Sequence, residues 1–211
     1  MEVLLHAARS DDARLLHRQV VPIPTARSGS RENPRVRIIA GSRKGHRISA
    51  PGGRATRPTS DRVRENVFNI VAPWVEGSAV LDLYAGSGAM GLEALSRGAE
   101  RAVFVESEVA ACRAINANLD KLRLTGAEVA CRDVARFLAA ETRTYDLVFC
   151  DAPYDDYTAL EPLLGRYVPR LLADGGLLVL ETASRAAEPR LPLTQRTSRR
   201  YGAARITLYE R

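Results

Sequence analysis

Ala79-Val80-Leu81-Asp82-Leu83-Tyr84-Ala85-Gly86-Ser87-Gly88-Ala89-Met90-Gly91 reads as a short buried strand, a glycine-rich turn and the start of a helix. Glycines in such a turn let the backbone approach a nucleoside-bearing cofactor closely. Gly86 to Gly91 matches the G-x-G-x-x-G dinucleotide fingerprint, and Glu106 follows Gly86 by twenty residues. A nicotinamide oxidoreductase is therefore one reading. Against it stands Asp82, an acid near the strand end where a diphosphate would approach, together with the absence of an obvious hydride-transfer acid or base. A carboxylate there suits a cationic amino group better. Glu106 closes Val103-Phe104-Val105-Glu106, a position from which a carboxylate can accept both ribose hydroxyls. Asp133, after Cys131-Arg132, can accept an adenine amino group or cap the helix starting at Val134.

Outward from this turn, apolar strands alternate with helices. Strands are expected at 79–84, 102–106, 128–131, 145–150 and 176–181, with helices at 89–97, 108–122, 134–140 and 158–172. Repeated strand-helix units with apolar strands predict an α/β fold whose parallel sheet is covered on both faces. Residues 191–210 hold two further strand-like runs, expected to close the sheet as an antiparallel edge.

The fourth strand, Tyr145 to Cys150, leads directly into Asp151-Ala152-Pro153-Tyr154. An aromatic amine is a poor nucleophile because its lone pair is delocalised into the ring. If Asp151 and the Ala152 carbonyl accept its two hydrogens, the nitrogen is held pyramidal. Pro153 fixes the turn and Tyr154 can stack on the base. A base inside a duplex never presents this edge, so the target must be flipped out or single-stranded.

The chain has 211 residues and a net charge of +6, enough for one full domain and a small appendage. From Arg35 to Arg64 nine Lys or Arg residues face one acid, Asp61. Such a stretch favours a polyanion, nucleic acid first, and Arg43, Lys44, Arg47, Arg54, Arg57 and Arg62 are its expected phosphate contacts. Three segments are expected: a mobile, weakly helical extension over residues 1–34, a basic hairpin arm over 35–58 turning at Gly41 to Gly45, and a catalytic domain over 59–211. The domain opens with a helix whose apolar face is Val63, Val67, Ile70, Val71 and Trp74, capped by Thr59, Ser60 or Asp61, with Arg62, Arg64 and Glu65 on the opposite face. Cys112, Cys131 and Cys150 are too few and too scattered for a disulfide framework or zinc site, and the three histidines form no ligand cluster, so no metal is expected. No run is apolar enough for a membrane span or a secretory signal. A soluble, cytoplasmic monomer is expected.

The glycine turn followed by Asp151-Ala152-Pro153-Tyr154 resembles the S-adenosylmethionine-dependent amino-methyltransferases, whose signature is Asp, Asn or Ser, then Pro-Pro, then Tyr or Phe. More specifically, Arg37-Ile38-Ile39-Ala40-Gly41, Arg47-Ile48, Arg57-Pro58-Thr59-Ser60-Asp61-Arg62-Val63-Arg64-Glu65, Phe68-Asn69, the turn itself, Gly91 to Ala99 and Tyr201-Gly202 resemble the bacterial 16S ribosomal RNA (guanine-N2)-methyltransferases. The resemblance spans about residues 35–211. It implies a Rossmann-like class I methyltransferase with a seven-stranded, mostly parallel sheet and a small N-terminal β-hairpin. It also implies S-adenosylmethionine as cofactor and one guanine amino group of the small ribosomal subunit as substrate. Asp82, Tyr84, Gly86, Gly88, Glu106 and Asp133 become cofactor contacts, and Asp151 to Tyr154 become catalytic. The chain departs at Ala152, where that family has Pro. The carbonyl survives this change. DNA adenine-N6 transfer uses the same tetrapeptide, and a catalytically silent RNA-binding protein is a further alternative.

Overall fold

The computed structural model describes residues 36–50, 61–153 and 157–211. The expected extension over 1–34, Arg35, Arg54, Arg57, the candidate caps Thr59 and Ser60, and Tyr154 lie outside the described residues.

The hairpin is present. Strand β1 (Val36–Arg37) pairs antiparallel with β2 (Arg47–Ile48), with Val36 opposite Ile48. Both strands are shorter than the alternating pattern predicts. The chain nevertheless stays paired beyond them, through Ile38 N–H to the His46 carbonyl at 2.9 Å and Gly45 N–H to the Ile38 carbonyl at 2.8 Å. A 3-10 turn at Gly41–Arg43 closes the hairpin. Its burial on one face supplies the driving force: Val36, Ile38 and Ile48 belong to the same apolar cluster as Val67, Phe68, Leu92 and Ile115.

Helix α1 (Asp61–Val71) is continued by a 3-10 turn at Ala72–Trp74. Strand β3 (Ala79–Leu83) then begins five parallel strands connected by α2 (Ala89–Ser96), β4 (Arg101–Glu106), α3 (Val109–Leu122), β5 (Ala127–Cys131), α4 (Val134–Ala140), β6 (Tyr145–Cys150), α5 (Tyr157–Leu171) and β7 (Leu172–Ala183). Strands β8 (Thr194–Tyr201) and β9 (Ala204–Glu210) complete a seven-stranded sheet in the order β5-β4-β3-β6-β7-β9-β8. Strand β9 is antiparallel to both of its neighbours. Every residue of β3 is buried, as a strand covered on both faces requires. One apolar layer lies under α1, α2, α3 and the hairpin, the other under α4 and α5. Among the described residues, no helix is long and apolar enough to cross a membrane.

The strand order reverses between β3 and β6, and the carboxyl ends of strands at such a switch point form a binding crevice. The segment after Leu83, the end of β4 and the exit of β6 therefore meet at one edge of the sheet.

Two expectations change. Strand β7 starts directly after α5, because Tyr145 pairs with Leu172 before a register shift brings Leu147 opposite Leu177. Arg64, expected on the solvent face of α1, is 0% exposed. Its guanidinium donates to the Arg37 carbonyl at 2.5 Å and to Asp61 Oδ1 at 3.0 Å. Burial pushes its pKa down, with Asp61 and Glu93 acting against that push. Of the residues that look polar on α1 in sequence, Arg64 lies under the hairpin, whereas Arg62 and Glu65 remain exposed.

Candidate active site

At the exit of β3 the backbone enters the left-handed region at Tyr84 (φ 56°), Gly86 (φ 53°) and Gly88 (φ 77°). The strained member is Tyr84, since a side-chain-bearing residue rarely adopts positive φ and such outliers cluster at ligand clamps. Gly88 is the N-cap of α2. Gly91, the third glycine of the fingerprint, is required by a close approach: a Cβ there would lie 2.3 Å from Phe104 Cε1 on β4. The glycine turn is thus pressed onto the neighbouring strand.

Three carboxylates converge on this edge. Glu106 ends β4, and both its oxygens are engaged by backbone: Oε2 accepts from Gly86 N–H at 2.8 Å and Oε1 from Glu108 N–H at 2.8 Å. Each oxygen keeps a second lone pair for a ligand hydroxyl. Asp82 is 3% exposed; its Oδ2 accepts from Gly91 N–H at 2.9 Å. It therefore ties the strand to the first turn of α2 from beneath. Asp151 leaves β6, with Ala152 buried and Pro153 exposed behind it. Burial first, then the charges of Asp151 and Glu106, push the Asp82 carboxyl up to about 8, against the hydrogen bond from Gly91. The charged side chains that act on Asp82 are thus both negative, and a cationic ligand complements such a site.

This shift has a consequence for stability. From about pH 4 to 8 the folded chain holds the Asp82 proton that the unfolded chain has lost, so stability falls as the pH rises through that window. Urea denaturation of the Asp82→Asn variant is expected to show a flatter dependence from pH 6 to about 8, the wild-type slope from this group being at most about 1.4 kcal/mol per pH unit.

Asp133 is exposed and caps α4, its Oδ1 accepting from Arg136 N–H at 3.0 Å. The capping alternative is realised, and the other oxygen faces no such duty.

The basic arm is arranged differently from its sequence reading. The Arg43 guanidinium donates to the carbonyls of Leu122, Arg123 (3.3 Å) and Ser42 (3.3 Å), so it caps the C-terminus of α3 instead of facing solvent freely. Because α3 begins at the carboxyl end of β4 and runs back for 14 residues, about 21 Å, the turn carrying Arg43 and Lys44 sits at the opposite edge of the sheet from Asp151. Lys44, Arg47 and Arg62 are exposed.

Sequence reasoning missed the residues that dock the arm. Glu93 on α2 is 0% exposed; it accepts from Ile39 N–H at 2.7 Å, Ala40 N–H at 2.9 Å and Arg97 Nε at 2.6 Å. Ser96 Oγ donates to the Ala40 carbonyl at 2.7 Å and accepts from Arg43 N–H at 3.0 Å. Asn118 on α3 accepts from Ser49 N–H at 2.8 Å and donates to the Ser49 carbonyl at 2.9 Å and the Ser87 carbonyl at 3.4 Å. It ties the end of the hairpin to the glycine turn. An acid amid Met90, Leu92, Ala94 and Leu95 was a visible signal for Glu93. Asn118 carries none.

Comparison with known proteins agrees with this geometry. Residues 36–210 match the family described as "Conserved hypothetical protein 95". The chain is 37% identical over 186 residues to the putative rRNA methyltransferase YlbH of Bacillus subtilis, covering 83% of this chain and 99% of the relative. It is 34% identical over 178 residues to ribosomal RNA small subunit methyltransferase D of Escherichia coli, covering 83% and 90%. A solved structure of the putative methyltransferase yhhF from Escherichia coli superimposes with a TM-score of 0.76 at 32% identity, covering 84% of this chain and 98% of that one. The cofactor this fold implies is S-adenosylmethionine. The donor set fits it: the carboxylates of Asp82, Glu106 and Asp151 suit a ligand that has an ammonium, a sulfonium and two ribose hydroxyls. With that fold, that site and that likeness, the chain belongs to the conserved hypothetical protein 95 family of ribosomal RNA methyltransferases.

Proposed function

We propose that this protein transfers a methyl group from S-adenosylmethionine to the exocyclic N2 of a guanine in 16S ribosomal RNA of the small ribosomal subunit. The observation that carries the reading is Asp151 at the exit of β6, on the edge it shares with Asp82 and Glu106 and within reach of their charge. The similarity to a small-subunit methyltransferase over most of both chains supports the ribosomal substrate.

When bound, the cofactor supplies an electrophilic methyl group on a sulfonium. Glu106 holds the ribose through the free lone pairs of both oxygens, and Asp133 receives the adenine amino group. Asp82 braces the turn formed by Tyr84, Gly86 and Gly88, and the neighbouring charges of Glu106 and Asp151 favour the cationic end. On the substrate side, Asp151 and the Ala152 carbonyl accept the two hydrogens of the guanine amine and turn its lone pair toward the methyl. Tyr154 stacks on the flipped base, and Pro153 limits the freedom of the turn that carries it. Such an in-line displacement depends mainly on position and on excluding water. Phosphates around the target fall to Arg47, Arg54, Arg57 and Arg62, while Lys44 and the engaged Arg43 belong to the far edge. A cytoplasmic monomer acting on RNA in the small subunit is the corresponding setting.

Incubation with methyl-labelled S-adenosylmethionine and, separately, small subunits, naked 16S RNA and duplex DNA tests the reading. N2-methylguanosine from a ribosomal substrate is the expected product; N6-methyladenosine from DNA, or no labelled nucleoside, would overturn it. For the cofactor, Glu106→Ala is expected to weaken binding in calorimetry by about 1.5–3 kcal/mol, roughly ten- to a hundred-fold. It removes the ribose acceptor and the anchor of Gly86 together. Glu106→Gln, which keeps one acceptor, is expected to lose less.

A further inference from the structure

The segment from Arg185 to Tyr201 has no part in the site described above, yet it carries arginines at 185, 190, 196, 199 and 200 against a single acid, Glu188. Glu188 is engaged within the fold: it meets Arg205 at 3.3 Å and accepts from Gln195 at 3.0 Å and Ser198 at 3.1 Å. Arg196 is paired with Glu210 at 2.5 Å. Arg185, Arg199 and Arg200 are exposed, and among the described residues their side chains make no hydrogen bond or ion pair.

Register places them. Ala183 at the end of β7 pairs with Ala204, and Ala204 with Tyr201, so the turn joining β8 to β9 lies at the edge where the parallel strands end. Arg200 and Arg199 are the last residues of β8 before Tyr201. Arg185 follows β7, the immediate neighbour of β6. Strand β8 is three strands from β6, about 14 Å at ordinary strand spacing. The turn that presents Arg185 is held in place from below: buried Arg205 donates to the Ser184 carbonyl at 3.0 Å and the Ala186 carbonyl at 2.9 Å. On the same row of the sheet as Arg199 stands one acid, Glu181, two strands away. The chain leaves the hairpin at Ser49, beside Ser87 on the other side of Asp151. Cations thus flank the catalytic exit on the side away from Ser49.

We infer that Arg185, Arg199 and Arg200 form a phosphate-binding rim that holds the RNA strand on the β8 side of the target nucleotide. The inference rests on the proposed RNA substrate. Exposed guanidiniums suit phosphate oxygens, and phosphate contacts fix register while the pocket reads the base. A binding surface on this rim, with the arm on the opposite flank, would hold the strand on both sides of a flipped base. The competing role for arginines on an exposed edge strand is to block pairing with another chain.

The test is the triple variant R185A/R199A/R200A, with R185K/R199K/R200K as its charge-preserving partner. Binding of a 16S RNA fragment is measured across salt concentrations, alongside steady-state methyl transfer, cofactor calorimetry and sedimentation. The alanine variant is expected to bind RNA more weakly, with a log-log salt slope shallower by about 0.7 for each lost contact and so by about 2 in all. KM for RNA is expected to rise while kcat and cofactor affinity stay within about two-fold, a match to wild-type cofactor binding certifying the fold. The lysine variant is expected to keep the wild-type slope. Wild-type RNA affinity and slope in the alanine variant would overturn the rim, as would new self-association with unchanged RNA binding by the monomer. Failure of the functional reading is distinguishable, because it appears in the wild type as a labelled nucleoside other than N2-methylguanosine.

Discussion

Asp151→Asn is expected to lower the single-turnover rate of methyl transfer by about a hundred-fold or more at saturating cofactor and RNA, the scale of a misplaced reacting group. The amide is a weaker acceptor and can turn its own NH2 toward the substrate amine, so the nitrogen loses the partner that orients its lone pair. The fold is expected to persist, because Asp151 stands at a strand exit and is only partly buried. One side effect separates this account from a structural one: Asp151 is among the charges that raise the Asp82 carboxyl, so removing its charge should let Asp82 ionise at lower pH. Tyr154→Phe should retain transfer and Tyr154→Ala should lose it, since stacking needs the ring and not the hydroxyl. Near wild-type turnover by Asp151→Asn would remove this residue from the mechanism.

Glu93→Ala is expected to destabilise the protein by about 3–5 kcal/mol, the cost of breaking a buried ion pair from one side. The carboxylate has no exposure, receives Arg97, and takes two consecutive backbone N–H groups of the arm. Its loss leaves those donors without their acceptor and frees Arg97, whose guanidinium also lies 4.8 Å from the centre of the Phe68 ring. For a domain whose total stability is of the order of 5–15 kcal/mol, that is a large share. Thermal melts are the check, with a drop of roughly 6–20 °C expected for a chain of this size. Glu93→Gln retains one acceptor and should fall less. A melt unchanged by Glu93→Ala would mean that the arm is held by its apolar contacts alone.

Gly41 belongs to the same docking. A Cβ there would sit 1.8 Å from the Ser96 carbonyl oxygen, and its φ is 80°, so the turn of the hairpin reaches the end of α2 only without a side chain. In sequence, Gly41-Ser42-Arg43-Lys44-Gly45 reads as the turn of a basic hairpin with Arg43 and Lys44 as phosphate contacts. The backbone of that turn is seated against the C-termini of two helices, where Arg43 meets the carbonyls that a helix end leaves unsatisfied.

Local sequence determined the alternation of strands and helices, the glycine turn after β3, the carboxylate at the end of β4, the helix-capping Asp133 and the tetrapeptide that leaves β6. Each is a short-range property: apolar periodicity, a backbone that must turn tightly, or a motif contiguous in the chain. The two strands after Leu191 were also visible, and their antiparallel pairing closes the sheet as expected. What only the tertiary structure decided involves partners far apart in sequence. Arg64 is internal because the hairpin covers its face of α1. Glu93 and Asn118 are fasteners because residues 53 to 69 positions away supply their partners. The insertion of β9 between β7 and β8 sets which arginines stand at the edge where the parallel strands end, whereas the return path of α3 carries Arg43 away from it. A charged residue reads as exposed wherever its neighbours in sequence are polar; whether it meets water, a carboxylate or a helix end depends on which elements the apolar core brings together.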